Sequence, residues 1–132
     1  MNERYKTSAS KFSGSSDDEL YRKARAVYKS VVRSNRRMAY VRSKYFKGEK
    51  VFLDLFWEHL KQKSRGERRR RIALYACAIE LIQKTTIAPT EFKRDNEQLY
   101  RFYGVSKDGT GFIVQIKRNS KGNKFFMSVF PR

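Results

Sequence analysis

The apolar residues of this chain change period once, and the change divides it. In "RRRIALYACAIELIQKT", Ile72, Tyr75, Ala76, Ile79 and Ile82 recur every three or four residues, the spacing that gathers side chains on one face of a helix. "TIAPTEF" ends that segment, because Pro89 disfavours helical geometry at the residue before it. Beyond it, "QLYRFYGV", "GFIVQIK" and "KFFMSVF" are rich in aromatic and β-branched residues at a period of two, separated by "SKDGT" and "RNSKGN", both dense in turn formers. Helices first and sheet last predict an α+β fold, with N-terminal helices packed on a C-terminal antiparallel β-meander of three to four strands.

The 132 residues suffice for one modest core. Residues 1–16 are rich in Ser and Lys and poor in apolar side chains, so they predict a disordered basic arm. A helix is expected to start near Asp17, with Ser16 or Asp17 as N-cap and three carboxylates in its first turn. Leu20, Ala24, Val27, Tyr28, Val31 and Val32 form its apolar stripe, and the expected basic amphipathic helix covers 17–46. "KGEK" breaks that pattern and opens a compact α+β domain over 47–132. In "VFLDLFWEHL" the period is ambiguous; residues 51–53 suit a short strand, and helix is favoured from about Asp54. Gly66 is expected to interrupt the helical pattern of "KSRGERRRR".

Lys and Arg number 31 against 13 Asp and Glu, a formal net charge of +18. The excess is spread along the chain, at +2 over 1–16, +7 over 17–50, +4 over 51–85 and +5 over 86–132. A compact chain so charged calls for a polyanion, and nucleic acid is the leading partner, RNA favoured over DNA. Arg22, Arg25, Lys29 and Arg33 lie off the apolar stripe of the first helix and could grip phosphates, as could Arg65, Arg68 and Arg69; a solvated helix face would read the same. The run 68–71 winds around a helix turn, so at most two of its members meet any one ligand. A membrane partner is not expected: no apolar run reaches spanning length, and the amino terminus suits neither myristoylation nor a signal peptide. Cys77, the only cysteine, sits among apolar neighbours and reads as a small buried hydrophobe in a cytoplasmic or nucleoid-associated protein.

One His, one Cys and scattered carboxylates make no cluster at metal-ligand spacing, and the glycines make no phosphate-binding loop, so no metal or other cofactor is expected. RNA, however, carries its own nucleophile in the 2′-hydroxyl, and its cleavage needs only a base, an acid and a cation for the pentavalent phosphate. Strand alternation places Arg101, Tyr103, Gln115, Lys117 and Ser128 on one sheet face, and Tyr100, Phe102, Phe112, Val114, Ile116, Met127 and Val129 on the other, against the helices. Such a polar face suits a reaction surface, and equally a half-exposed sheet kept soluble. The single histidine, His59, follows Phe56 and Trp57, which anchor its helix; it joins a site only if it reaches that face.

From about Val51 onward the chain resembles the barnase, EndoU, colicin and RelE-like group of small ribonucleases, especially its phage-borne branch. The resemblance rests on "FWEHLKQK", "CAIELIQKTTIAPTEF", "LYRFYG", "GFIVQIKRN" and "KFFMSVFPR". It implies a metal-independent endoribonuclease, toxin-like or phage-associated, with His59 as acid or base, Arg101 and Lys117 on the phosphate, and Ser128 as the hydroxyl of the last strand. An acidic antitoxin or immunity protein would be the matching inhibitor. A non-catalytic DNA- or RNA-binding accessory protein, or an adaptor for an acidic protein, fits the composition as well.

Overall fold

Ser16 starts the long N-terminal helix: its hydroxyl accepts from the Glu19 amide at 3.2 Å, satisfying one of the amides that a helix start leaves unpaired. In the computed structural model, which describes residues 3–32 and 38–132, this helix, α1, is Asp17–Val32. It is preceded by a short strand, β1 (Tyr5–Lys6), and followed by β2 (Tyr40–Ser43) and β3 (Glu49–Phe52). Then come α2 (Asp54–Lys61), α3 (Arg65–Ala73) and α4 (Tyr75–Lys84). The chain ends in β4 (Thr90–Arg94), β5 (Glu97–Val105), β6 (Gly111–Arg118) and β7 (Lys124–Pro131).

The fold is α+β, but the expected meander of three to four antiparallel strands is corrected to a seven-stranded mixed sheet in the order β1-β5-β6-β7-β3-β2, with β4 also on β5. β4 and β1 share one edge of β5: β4 is registered against residues 97–101 and β1, in parallel, against Gly104 and Val105. At the other side β3 joins β7 in parallel through Val51 and Phe52, and β2 adds the outer strand. The helix expected over 17–46 therefore does not reach residues 40–46. Lys47 and Gly48, both at positive φ, turn the chain into the β2–β3 hairpin, where short alternating segments outweigh the helical spacing upstream.

Residues 3–16 are not the disordered arm that composition suggested. The Glu80 carboxylate on α4 accepts from the Tyr5 hydroxyl at 2.9 Å, the Ser8 amide at 2.8 Å and hydroxyl at 3.0 Å, and the Ala9 amide at 3.0 Å. The Thr7 amide donates to Val105 and the Phe12 amide to Ala73. Backbone pairing to a fixed carboxylate supplies what few apolar side chains could not.

The expected break at Gly66 is corrected too. Gly66 lies in the first turn of α3, begun by Ser64, whose hydroxyl accepts from the Glu67 amide at 3.3 Å. The helical run instead breaks at Leu74, which leaves helical geometry between α3 and α4.

The core lies between the helices and one face of the sheet. Leu20 and Ala24 of α1, Phe56 and Leu60 of α2, and Tyr75, Ile79 and Ile82 of α4 meet Tyr100, Phe102, Phe112, Val114, Ile116 and Val129. Alternation put Met127 in this set, and a β-bulge removes it: Gln115 is opposite Ser128, yet Ile116 is opposite Phe126. Phe126 takes the core position, fully buried and stacked on Phe56 at 4.8 Å, while Met127 stays half-buried. That stack, worth about 2 kcal/mol or more per buried ring, fixes α2 against β7.

Candidate active site

The Phe56–Phe126 stack sets where His59 can point, because His59 lies on the same short helix. β3 pairs with β7 only at Lys124 and Phe125, and α2 and α3 pack on β7 as well. His59 stands at this seam, half-buried, in a crevice it shares with Lys63, Arg71, Met127 and Ser128. Burial, then the charges of Lys117 and Lys63, push its pKa below the ordinary histidine value, against a weaker pull from Glu58. Its neutral form, the one able to accept a proton, is therefore favoured.

Ser128 belongs to a cross-strand row on the sheet face turned away from the helices: Ser128, Gln115, Arg101 and Thr90 are successive register partners from β7 to β4. Arg101 thus stands two strand spacings, roughly 10 Å, from Ser128. Its Nε donates to Gln115 Oε1 at 2.9 Å, and its guanidinium lies over the Phe92 ring at 4.8 Å. Gln115, itself buried, donates to Met127 Sδ at 3.2 Å. Lys117, on the adjoining row opposite Phe125, forms an ion pair with Glu97 at 3.0 Å. Tyr103 shares this face; its hydroxyl and that of Thr90 are 2.7 Å apart, and Arg132 lies over its ring at 4.9 Å.

Of the four residues expected to be catalytic, the structure brings His59 and Ser128 into one crevice and sets Arg101 and Lys117 on the sheet face that Ser128 shares. The wider basic set behaves differently. Arg65 and Arg69 donate to Asp17 at 2.8 and 2.7 Å, and Arg69 also to the Gly14 carbonyl at 2.6 Å. These two pairs, Arg69 first, hold the Asp17 carboxyl below its ordinary range. Arg68 donates to the Lys63 carbonyl at 2.8 Å, and Arg25 covers the Trp57 ring at 4.6 Å. Arg65 and Arg69 thus stitch α3 to the start of α1, while Arg70 and Arg71 pair with Glu67 on α3 itself. Arg22 and Lys29 are exposed on α1, which packs on α3, α4 and β2, so the structure does not gather them with the strand residues. Arg33 lies outside the described residues.

Lys63, Arg71 and Met127 complete the crevice but are absent from the sequence-based set. The available signal for Lys63 was its place four residues after His59. Met127 needed the bulge, which alternation alone does not reveal.

Among the described residues no three His, Cys, Asp or Glu side chains cluster as metal ligands, and no helix is long and apolar enough to cross a membrane. Cys77 is buried, its thiol pushed up to about 11 chiefly by burial, with Sγ 3.5 Å from the Ala9 carbonyl. Comparison with protein-family models, with curated proteins and with solved structures finds no match, so any functional assignment rests on this chain's own residues.

Proposed function

We propose that this protein is a metal-independent endoribonuclease of the cytoplasm that cleaves RNA lying on the sheet face away from the helices. The observation that carries the reading is the crevice that joins the chain's one histidine to Ser128, at the end of a strand row that holds Arg101 and next to the row that holds Lys117. Neutral His59 takes the proton of an RNA 2′-hydroxyl as that oxygen attacks the adjacent phosphorus. Lys117 and Arg101 balance the charge that develops on the phosphate oxygens, and Ser128 donates a hydrogen bond to one of them. The bond from phosphorus to the 5′-oxygen breaks, that oxygen takes a proton from solvent, and the products carry a 2′,3′-cyclic phosphate and a 5′-hydroxyl. An incoming phosphate competes with Glu97 for Lys117, since both anions address the same ammonium.

A second reading, binding of nucleic acid without cleavage, uses the same two cations, which at rest are held by Glu97 and Gln115 and so are not preorganised for a transition state. The two part on incubation with labelled RNA in a metal chelator. The nuclease reading expects fragments ending in cyclic phosphate, with the rate reduced about 10²- to 10⁴-fold in His59→Ala and reduced also in Lys117→Ala. Retention of RNA without such fragments leaves binding alone.

A further inference from the structure

The sheet face away from the helices carries a second row, which shares only Lys117 with the catalytic set. Register partners lead without a gap across six strands, from Tyr40 on β2 to Phe52, Phe125, Lys117, Leu99 and finally Phe92 on β4. Partners in a register share a face, so these six side chains form one line. Leu99 is buried, and Tyr40, Phe52, Phe125, Lys117 and Phe92 are half-exposed. At the β2 end the rings follow one another, Tyr40 to Phe52 at 6.3 Å and Phe52 to Phe125 at 5.7 Å. Cations attend them: Lys50 is 4.7 Å and Arg42 5.6 Å from the Tyr40 ring, and Lys117 is 5.9 Å from that of Phe125.

A sheet exposed for solubility alone has no use for three adjacent aromatic rings. Burial in a protein partner would explain the rings and Arg42, but such interfaces are poor in lysine, and Lys50 and Lys117 both attend this row. Bases stack on aromatic faces, while the phosphates between them take up cations on flexible stems, and a protein of net charge +18 supplies the long-range attraction.

We infer that Tyr40, Phe52 and Phe125 form a base-stacking tract for single-stranded RNA, with Arg42 and Lys50 on its phosphates, leading through Lys117 toward His59. The tract spans two strand spacings, about 10 Å, enough for two or three bases. The inference deepens the ribonuclease reading by saying how substrate is held, and it rests on that reading for the identity of the strand as RNA. Stacking needs the base faces free, so duplex RNA is a poor occupant.

The test is fluorescence anisotropy with a labelled, unstructured RNA of about twelve nucleotides, in a His59→Ala background so that the strand stays whole. Phe52→Leu and Phe125→Leu each weaken binding by about tenfold, and Phe52→Trp, which keeps a stacking face, retains it. Thermal melts accompany each variant, and the tryptophan variant separates loss of a ring from loss of the fold. Leucine variants that bind as the parent does would overturn the tract. So would displacement of the RNA by polyglutamate of equal charge, since an acidic protein would then serve as well. If the parent chain with His59 intact does not cut RNA but binding follows the rings, the tract stands and cleavage alone falls. If RNA is cut and the rings are indifferent, the tract alone falls.

Discussion

Replacing Glu80 with alanine should unfasten the N-terminal arm without unfolding the domain. The carboxylate receives four hydrogen bonds from residues 5–9. Two of them, from Tyr5 and Ala9, are partly buried, and two, both from Ser8, are exposed. At about 1–1.5 kcal/mol for each partly buried bond and about 0.5 for each exposed one, the loss is about 3–4 kcal/mol. Ordering the arm costs about 1 kcal/mol or more per residue, so its net docking energy is smaller than that loss. The arm should therefore detach, and global stability should fall by no more than its net docking energy, which is below about 3–4 kcal/mol. Cys77 reports the event, because its thiol lies under the Ala9 carbonyl. Its reaction with a thiol reagent should accelerate in Glu80→Ala, and amide hydrogens of residues 5–12 should lose protection against exchange. Residues 5–12 as protected as in the parent, with Cys77 equally inert, would refute the account of the arm. Acid should act in the same direction. Burial raises the Glu80 pKa, but bonds from the Ser8 amide, Tyr5, the Ser8 hydroxyl and the Ala9 amide outweigh it, so the net shift is downward. The stabilisation is present above the unfolded carboxyl value of about 4.3 and is lost as pH falls through the lower folded one.

Two further outcomes follow from single positions. A Cβ on Gly104 would run into the Phe112 ring and lie 2.9 Å from Leu81 Cδ1, so Gly104→Ala should cost about 1–3 kcal/mol in urea denaturation. Phe112→Leu should recover part of that cost in the double variant, and simple additivity would exclude the clash. For His59, the only histidine signal in a proton NMR titration, Lys117→Gln should raise the midpoint, and an unmoved midpoint would place Lys117 too far away to matter. Because the folded His59 pKa is lowered, the unfolded chain protonates first; stability is intact above about 6.5 and declines as pH falls from there toward the folded value.

Local chemistry was legible where one side chain decided the outcome. Ser16 ahead of "DDEL" marked the start of α1, Asp54 that of α2, and the turn formers around Gly109 and Gly122 bounded β5, β6 and β7. Long-range pairing was not legible. Nothing local in "TSASKFSGSS" announces that a carboxylate some seventy residues onward will hold its amides. Nor does "YVRSKYFKGEKVF" show that its second strand will lie parallel to β7 and extend the sheet. The polar strand residues of the site were recoverable from alternation, since Arg101, Gln115 and Ser128 form one register row. The bulge at Met127 reverses the alternation within β7, and so Phe126 and Met127 exchange the faces that a uniform strand assigns them. His59 could be named but not placed, because the Phe56–Phe126 stack that orients its helix depends on that same bulge.

In the proposed reaction His59 removes a proton from a 2′-hydroxyl on this sheet face. That step is tested most directly by mass spectrometry of the products formed from RNA, and from the same strand bearing 2′-O-methyl groups, in chelator at neutral pH. RNA should yield 2′,3′-cyclic phosphate ends, and the 2′-O-methyl strand should stay intact. Cutting of the methylated strand, or RNA left whole by the folded protein, would contradict that step.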